Sequence, residues 1–352
     1  MGISIGICGE GTIEPNMHKE EGQELIYKLC HNPVPANKIS NHLLESFKSV
    51  NAIRIENNLC YLNFTCFLQK DIDYLNFQCD ELGKILAERI QKYTTKYTAL
   101  EVTYDEVNIE KLLFFIVGCV CLDWNGLKIL EELNLTLSHE EQEKPGYGNY
   151  TLFGNEDTDK NVKELYWGSH NSKYGNYYFT TFGDHTGRRI GFPDLIHINP
   201  SQDIMIKLFT DMLNLYMNKI GDALTKRVNL NESTKSVLED LKYIKNGQLN
   251  IPVIVFEDMP SIDKLIISVD EIIKDWLIEY SSNLKFIFKN LTPIKFGVEF
   301  REVLIQIWHY IFGHTNKHLS RNGYFFNPYS NTSDFAGYLP VVHEVKCDLK
   351  LF

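Results

Sequence analysis

Two segments in the middle of the chain combine acidic, basic and aromatic residues at a spacing suited to binding an anion. The first is Tyr166–His170, with the sequence YWGSH, and the second is Gly183–Arg189, with GDHTGRR. Both border short predicted strands that end in glycine, so their side chains can meet at neighbouring strand ends. Arginine forks match carboxylate or phosphate, and aromatic walls exclude water. The residues predicted to bind a small anionic ligand are Trp167, His170, Asp184, His185, Arg188 and Arg189.

The same residues are also the place for catalysis, if the protein is a small-molecule enzyme. That hypothesis centres on His170, Asp184 and His185 with the two arginines. A hydrolase needs a nucleophile beside its base, or three metal ligands at fixed offsets, and the sequence shows neither pattern. The structural alternative is a charged hairpin loop with solvated arginines. The sequence therefore favours a non-enzyme and identifies no catalytic residue.

Other chemistry-bearing patterns are incomplete. His314 and His318 lie four residues apart on a predicted helix and share a face, but no glutamate follows His314 as in the H-E-x-x-H pattern. Cys119 and Cys121 lack the C-x-x-C spacing of a zinc or redox pair. The glycines of Gly6–Gly11 lack the G-x-G-x-x-G order of a phosphate loop. We therefore predict no metal and no cofactor.

The segment from Glu21 to Phe67 has the clearest order of predicted elements. An amphipathic helix is followed by a turn with two prolines, a second amphipathic helix and a tight hairpin. The hairpin turn is Asn57-Asn58, and asparagine tolerates the left-handed backbone that a two-residue hairpin requires. The predicted elements are helix Glu20–His31, helix Asn37–Asn51, and strands Ala52–Glu56 and Leu59–Phe67.

This order of elements resembles the winged helix-turn-helix domains of bacterial ArsR-like regulators. The resemblance implies that helix Asn37–Asn51 lies in the DNA major groove while the hairpin approaches the neighbouring backbone. The family has a further helix before this pair, whereas Met1–His18 is predicted as strand and turn. The residues that the resemblance places against double-stranded DNA are Lys38, Asn41, His42, Lys48, Arg54 and Asn57.

The charge of the chain limits this interpretation. The formal net charge is −11, and a uniformly acidic protein is a poor nucleic-acid binder because phosphate contacts need lysine and arginine. Residues 1–100 carry 10 Lys+Arg against 12 Asp+Glu, a net of −2, and the remainder carries 25 against 34, a net of −9. The N-terminal segment is thus nearly neutral, which permits DNA binding.

A long helix is predicted directly after the hairpin, over Asp71–Tyr97. Its apolar residues recur at steps of three or four, which is typical of a narrow packing seam. Such a seam suits a two-helix coil in a homodimer or packing on the chain's own body. The seam residues are Ile72, Leu75, Cys79, Leu82, Leu86, Ile90 and Tyr93.

The predicted fold class is α+β, in three consecutive parts. Residues 1–70 form the winged-helix-like domain, 71–100 the connecting and dimerising helix, and 101–352 a larger mixed α+β body that senses a ligand. Within the body the pattern predicts buried strands at Ile251–Phe256 and Leu284–Phe288. Its predicted helices include Ile109–Leu133, Ser261–Tyr280 and Glu299–Leu319.

The predicted compartment is the cytoplasm, without a membrane span. The longest apolar run, Leu112–Leu122, has 11 residues and is too short to cross a bilayer. The N-terminus shows no basic region ahead of an apolar stretch, so we predict no signal peptide. The eight cysteines form no paired framework and are expected to be reduced and buried.

These patterns together predict a cytoplasmic, homodimeric, DNA-binding transcriptional regulator with a C-terminal sensor or effector domain. One alternative is a peptide- or protein-recognition module of a modification or defence system, binding through Leu59–Phe67 as an edge strand. The other is a small-molecule enzyme that uses the region 166–189.

Overall fold

The computed structural model describes residues 3–94, 109–156, 169–182, 210–226, 228–229, 231–240, 243–326 and 341–344. Helices and several small sheets share this part of the chain, so the protein is mixed α+β. The chain divides into two compact units, each discontinuous in sequence. Unit 1 consists of Met1–Glu81, Leu127–Asn161 and Asp275–Ile311, and unit 2 of Leu82–Gly126, Val162–Lys274 and Phe312–Phe352.

The described elements are numbered here in chain order. The helices are α1 Glu20–His31, α2 Asn41–Ser49, α3 Gln69–Tyr93, α4 Ile109–Glu132, α5 Thr210–Leu224, α6 Glu232–Asp240, α7 Met259–Phe288, α8 Thr292–Lys295 and α9 Phe300–Arg321. The strands are β1 Ile3–Gly11, β2 Val34–Pro35, β3 Ile53–Glu56, β4 Leu59–Leu62, β5 Thr65–Phe67, β6 Glu143–Lys144, β7 Gly148–Glu156, β8 Ser169–Tyr174, β9 Tyr177–Phe182, β10 Ile244–Lys245, β11 Gln248–Leu249, β12 Val253–Ile254 and β13 Val341–Glu344.

Helix α1 of unit 1 has the predicted bounds. Glu20 and Glu21 occupy its first turn and Lys28 and His31 its last, which complements the helix dipole at both ends. Its apolar stripe, which includes Leu25, Ile26, Leu29 and Cys30, is buried in the core of unit 1. The strand β2 follows it directly, because the prolines at 33 and 35 prevent the helix from continuing.

Helix α2 begins at Asn41, four residues later than predicted. Residues Ala36–Lys38 form a separate 3₁₀ turn after Pro35. Ser40 then caps α2, because its hydroxyl accepts a hydrogen bond from the Leu43 amide at 3.4 Å. Lys38 therefore precedes the helix instead of lying on it.

The hairpin after α2 is confirmed. β3 and β4 are antiparallel with Glu56 opposite Leu59, and Asn57 and Asn58 both have positive φ, at 49° and 65°. Two successive left-handed residues are what a type I′ turn requires. β2 also pairs with β4, so the sheet order is β2-β4-β3.

The edge strand predicted over Leu59–Phe67 is wrong. This segment is two strands, and the first of them, β4, lies between β2 and β3, so its backbone groups face partners on both sides. The second, β5, pairs in parallel with β7 in a different sheet. That sheet has the order β1-β7-β5, and β1 pairs with β7 over its whole length, from Ile3 opposite Glu156 to Gly11 opposite Gly148.

The seam of α3 is buried within the chain. Six of its seven predicted residues, from Ile72 to Ile90, are buried, whereas Tyr93 is 62% exposed. The carboxylate of Asp71 accepts a hydrogen bond from the Thr292 amide at 3.0 Å, and the Tyr74 hydroxyl donates to the Ile287 carbonyl at 3.0 Å. Of the two predicted uses of the seam, packing on the chain's own body is therefore the one observed.

Unit 2 contains an unusually apolar segment of α4. Phe114–Asn125 winds as a π-helix, and every residue from Phe114 to Asp123 is buried. Among the described residues α4 is long and apolar enough to cross a membrane, but 78% of its most apolar window is buried inside the chain. This is consistent with the core helix of a soluble protein. A sheet with the order β12-β13-β9-β8 lies in the same unit.

Two strands predicted in the body need correction. Leu284–Phe288 is the last part of α7, where Leu284 and Phe288 are buried and Phe286 between them is exposed, the spacing of one helix face. Ile251–Phe256 contributes only the short strand β12, and a 3₁₀ turn begins at Phe256. The helices predicted over 109–133, 261–280 and 299–319 are confirmed as α4, part of α7 and α9.

Candidate nucleic-acid interface

The polar face of α2 is solvent-exposed. Leu43, Leu44 and Phe47 point into the core of unit 1, so the helix turns its remaining side chains outward. The apolar stripe of this amphipathic helix is buried, and the side chains opposite it can reach another molecule. The exposed residues are Asn41, His42, Glu45, Lys48 and Ser49, with Lys38 exposed on the preceding turn.

The charge on this face is weakly positive. Lys48 forms an ion pair with Glu45 at 3.1 Å, and both side chains are largely exposed. An exposed pair of this kind contributes about 0.5 kcal/mol, so a phosphate can replace the carboxylate at small cost. Lys38 adds a second positive charge, which gives a local balance of two lysines against one glutamate.

Arg54 is engaged within unit 1 and does not extend from the hairpin. Its guanidinium group donates to the Glu56 carboxylate at 2.8 Å, to the Leu62 carbonyl at 3.1 Å and to the Phe296 carbonyl. It also lies 4.8 Å from the centre of the Tyr61 ring. The sequence placed Arg54 against DNA because it lies on the hairpin, but these contacts hold the guanidinium against its own chain.

Gly297 makes room for this arginine. Its φ of +87° is left-handed, and a methyl group at this position would lie 2.7 Å from an Arg54 nitrogen. Asn57 and Asn58 at the tip of the hairpin are exposed. The part of the hairpin that can approach a ligand is therefore its two-asparagine turn.

Five of the six residues of the predicted anion site lie outside the part of the chain that the structure describes. These five residues are Trp167, Asp184, His185, Arg188 and Arg189. His170 lies on β8, with its backbone opposite Thr181 of β9. The anion site therefore stays a prediction.

Unit 2 contains a buried histidine, His343, whose ring packs among aromatic side chains. His343 lies on β13, and its Nε2 is 3.2 Å from the Thr180 hydroxyl. Its ring stacks on Tyr178 at 5.0 Å and lies 5.7 Å from the ring of Phe115. Burial lowers the pKa of His343 to about 3, so the imidazole is neutral. It lines an aromatic core.

Metal binding has no support from the described part of the chain. Within it, no group of three or more histidine, cysteine, aspartate or glutamate residues is arranged to hold an ion. Buried Asp123 instead accepts a hydrogen bond from the Ser169 hydroxyl at 3.1 Å. This contact was not predicted, because the two residues are 46 positions apart and Asp123 belongs to no motif.

The comparisons with known proteins add no family. No protein-family model matches the chain, and no curated protein or solved structure matches it either. Among the described residues of unit 1, the exposed polar face of α2 is the surface that best fits a ligand class.

Proposed function

We propose that unit 1 binds double-stranded DNA, with α2 in the major groove and the Asn57-Asn58 tip against the phosphate backbone. The observation that carries the proposal is the exposed polar face of α2 beside a hairpin in a sheet of order β2-β4-β3. We therefore equate α1 with the first helix, the turn Ala36–Lys38 with a shortened second helix, and α2 with the recognition helix.

The side chains on α2 and on the turn before it have the chemistry that base and phosphate contacts need. The Asn41 amide can pair with adenine in the major groove, and Lys38 and Lys48 can contact phosphate or guanine. His42 adds a further donor or acceptor on the same face. Asn41 is the first residue of α2, and a recognition helix reads bases with its N-terminal residues.

The low positive charge of this surface determines the affinity for DNA that we expect. Two lysines neutralise about two phosphates per chain, so affinity should be modest and should depend weakly on salt. A second copy on a neighbouring half-site would double the number of contacts. The buried seam of α3 does not supply that dimer, so a homodimer in our proposal needs another surface. The proposed role is that of a cytoplasmic transcriptional regulator with a sensor in the larger body, where residues 167–189 would bind an anionic effector.

The direct test is binding of the full chain to short random-sequence DNA duplexes, followed by fluorescence anisotropy. The double variant Lys38→Ala/Lys48→Ala should weaken binding by roughly 10- to 60-fold at about 0.1 M salt, because two phosphate contacts are lost. The matched control is Lys19→Ala/Lys28→Ala, which removes the same charge from exposed positions outside both α2 and the turn Ala36–Lys38. Equal loss in both variants would show that only total charge matters, and would overturn the assignment of α2.

A further inference from the structure

Two cysteines of unit 1 have their sulfur atoms unusually close together. Cys30 lies in the last turn of α1 and Cys66 lies on β5, and their Sγ atoms are 2.8 Å apart. This is about 0.75 Å beyond the ~2.05 Å of a disulfide bond and well inside ordinary contact between two sulfur atoms. Both residues are buried, at 1% and 2% exposure. The thiols therefore already face each other in the folded chain.

We propose that Cys30 and Cys66 are a redox-responsive pair that closes to a disulfide under oxidising conditions. The two elements that carry them are well fixed. Cys66 pairs through its backbone with Gly154 of β7, and α1 is buried along its apolar stripe. A methyl group at Gly154 would lie 3.2 Å from the Cys66 sulfur, so glycine leaves space for this sulfur beside the sheet.

The oxidant is a small-molecule disulfide such as glutathione disulfide. The thiolate of one cysteine attacks it, forms a mixed disulfide and releases one glutathione thiolate. The second cysteine then attacks the protein sulfur of the mixed disulfide, forms the Cys30–Cys66 bond and releases the second glutathione. The two cysteine sulfurs are oxidised, the glutathione disulfide is reduced, and the two cysteine protons end on the released thiols.

The surroundings predict that closure is slow. Burial raises the pKa of the Cys66 thiol, and its hydrogen bond with Cys30 and the nearby Asp71 and Glu156 raise it further. The thiolate that must attack is therefore scarce at neutral pH, and an oxidant reaches it only when the unit opens locally. The short distance between the two sulfur atoms favours the disulfide at equilibrium, because once one cysteine has reacted the other already lies beside it in the same chain.

The bond would enclose the candidate interface. The two cysteines are 36 positions apart, and β2, α2, β3 and β4 all lie between them. Closing a loop of this length restricts the unfolded chain and should raise the melting temperature of unit 1 by roughly 10 °C. The bond can form whether or not the chain binds DNA, so its test does not depend on the proposed function.

The test is peptide mapping of the full chain after equilibration with a glutathione disulfide/glutathione mixture, with alkylation of the remaining thiols. The expected result is a linked pair of peptides containing Cys30 and Cys66, an intact mass lower by two hydrogens, and reversal by dithiothreitol. Cys60 and Cys79 are buried in the same unit and should be recovered alkylated, so Cys60→Ser and Cys79→Ser serve as matched controls. Cys30→Ser and Cys66→Ser should each abolish the link.

Three results would overturn the proposal. The first is recovery of both cysteines as alkylated thiols after prolonged equilibration. The second is a glutathione adduct on either residue without an internal link, and the third is a link from Cys30 or Cys66 to a different cysteine. Each can be read on the unmodified chain, so a variant that fails to fold does not affect the conclusion.

Discussion

Acidification from pH 6.5 to 3 is expected to destabilise the chain by up to about 5 kcal/mol through His343 alone. Burial among Thr180, Tyr178 and Phe115 lowers the pKa of this imidazole to about 3, against an ordinary value of 6.5. A depressed folded-state pKa means that the neutral form is favoured in the fold. The stabilisation is therefore complete above pH 6.5 and is lost as the pH falls towards 3. A difference of 3.5 pKa units corresponds to about 5 kcal/mol.

The measurement is the free energy of unfolding in denaturant at a series of pH values. In His343→Phe the ring stacking can persist without a titrating group, so the steep loss between pH 6.5 and 3 should become shallower than in the unmodified chain. The control is His139→Phe, which makes the same substitution at an exposed histidine. If the His343→Phe profile followed that of the unmodified chain, buried His343 would not be the group responsible.

Glu302, a glutamate in unit 1, has the opposite effect on how the free energy of unfolding depends on pH. Burial raises the pKa of Glu302 to about 7, with Glu299 adding to the shift and Lys144 opposing it. For an acid with a raised folded-state pKa, the stabilisation is complete below its ordinary pKa and is lost as pH rises through 7. The two effects overlap, so the contribution of His343 must be read as the difference between variant and unmodified chain.

Replacement of Gly83 by alanine is expected to destabilise unit 2 by about 3 kcal/mol. A methyl group there would lie 2.7 Å from the Thr315 backbone nitrogen and 2.8 Å from the His314 Cβ. Both atoms belong to α9, and a backbone atom cannot move aside as a side chain can, so the helices must separate. The cost should exceed the gain of nearly 1 kcal/mol that alanine brings to a helix interior.

Gly118→Ala is the matched control for this substitution. Gly118 is also a buried helical glycine of unit 2, but its nearest neighbour is the side-chain amide of Asn316 at 3.2 Å, a longer contact that involves no backbone atom. Its free energy of unfolding should stay within about 1 kcal/mol of the unmodified chain. Thermal or denaturant unfolding of both variants measures the contrast. Equal destabilisation would mean that the close contact at Gly83 carries no special cost.

Local signals in the sequence were sufficient for α1 and for the β3–β4 hairpin. Prolines and an Asn-Asn turn fix their boundaries without help from distant residues. The start of α2 was missed because the 3₁₀ turn at Ala36–Lys38 and the Ser40 cap compete with a helix pattern that continues back to Asn37. The prediction of a strand at Leu284–Phe288 was wrong, because a short apolar run shows too little periodicity to distinguish a strand from a helix.

The contacts of the candidate site depended on residues far away in sequence. Arg54 donates to a carbonyl 242 positions later, which no local pattern can show, so its removal from the exposed surface was unpredictable. The seam of α3 was equally compatible with self-packing and dimerisation, because periodicity identifies an apolar face and not its partner. Exposure of the α2 face follows from periodicity, whereas what it binds remains a proposal.

The salt dependence of DNA binding tests the central proposal most directly. The logarithm of the association constant should fall linearly with the logarithm of salt concentration, and Lys38→Ala/Lys48→Ala should reduce the steepness by about 1.8, or 0.9 for each lost phosphate contact. Lys19→Ala/Lys28→Ala should keep the slope of the unmodified chain. Identical slopes in all three proteins, or no salt-dependent binding by the unmodified chain, would contradict a DNA interface on α2.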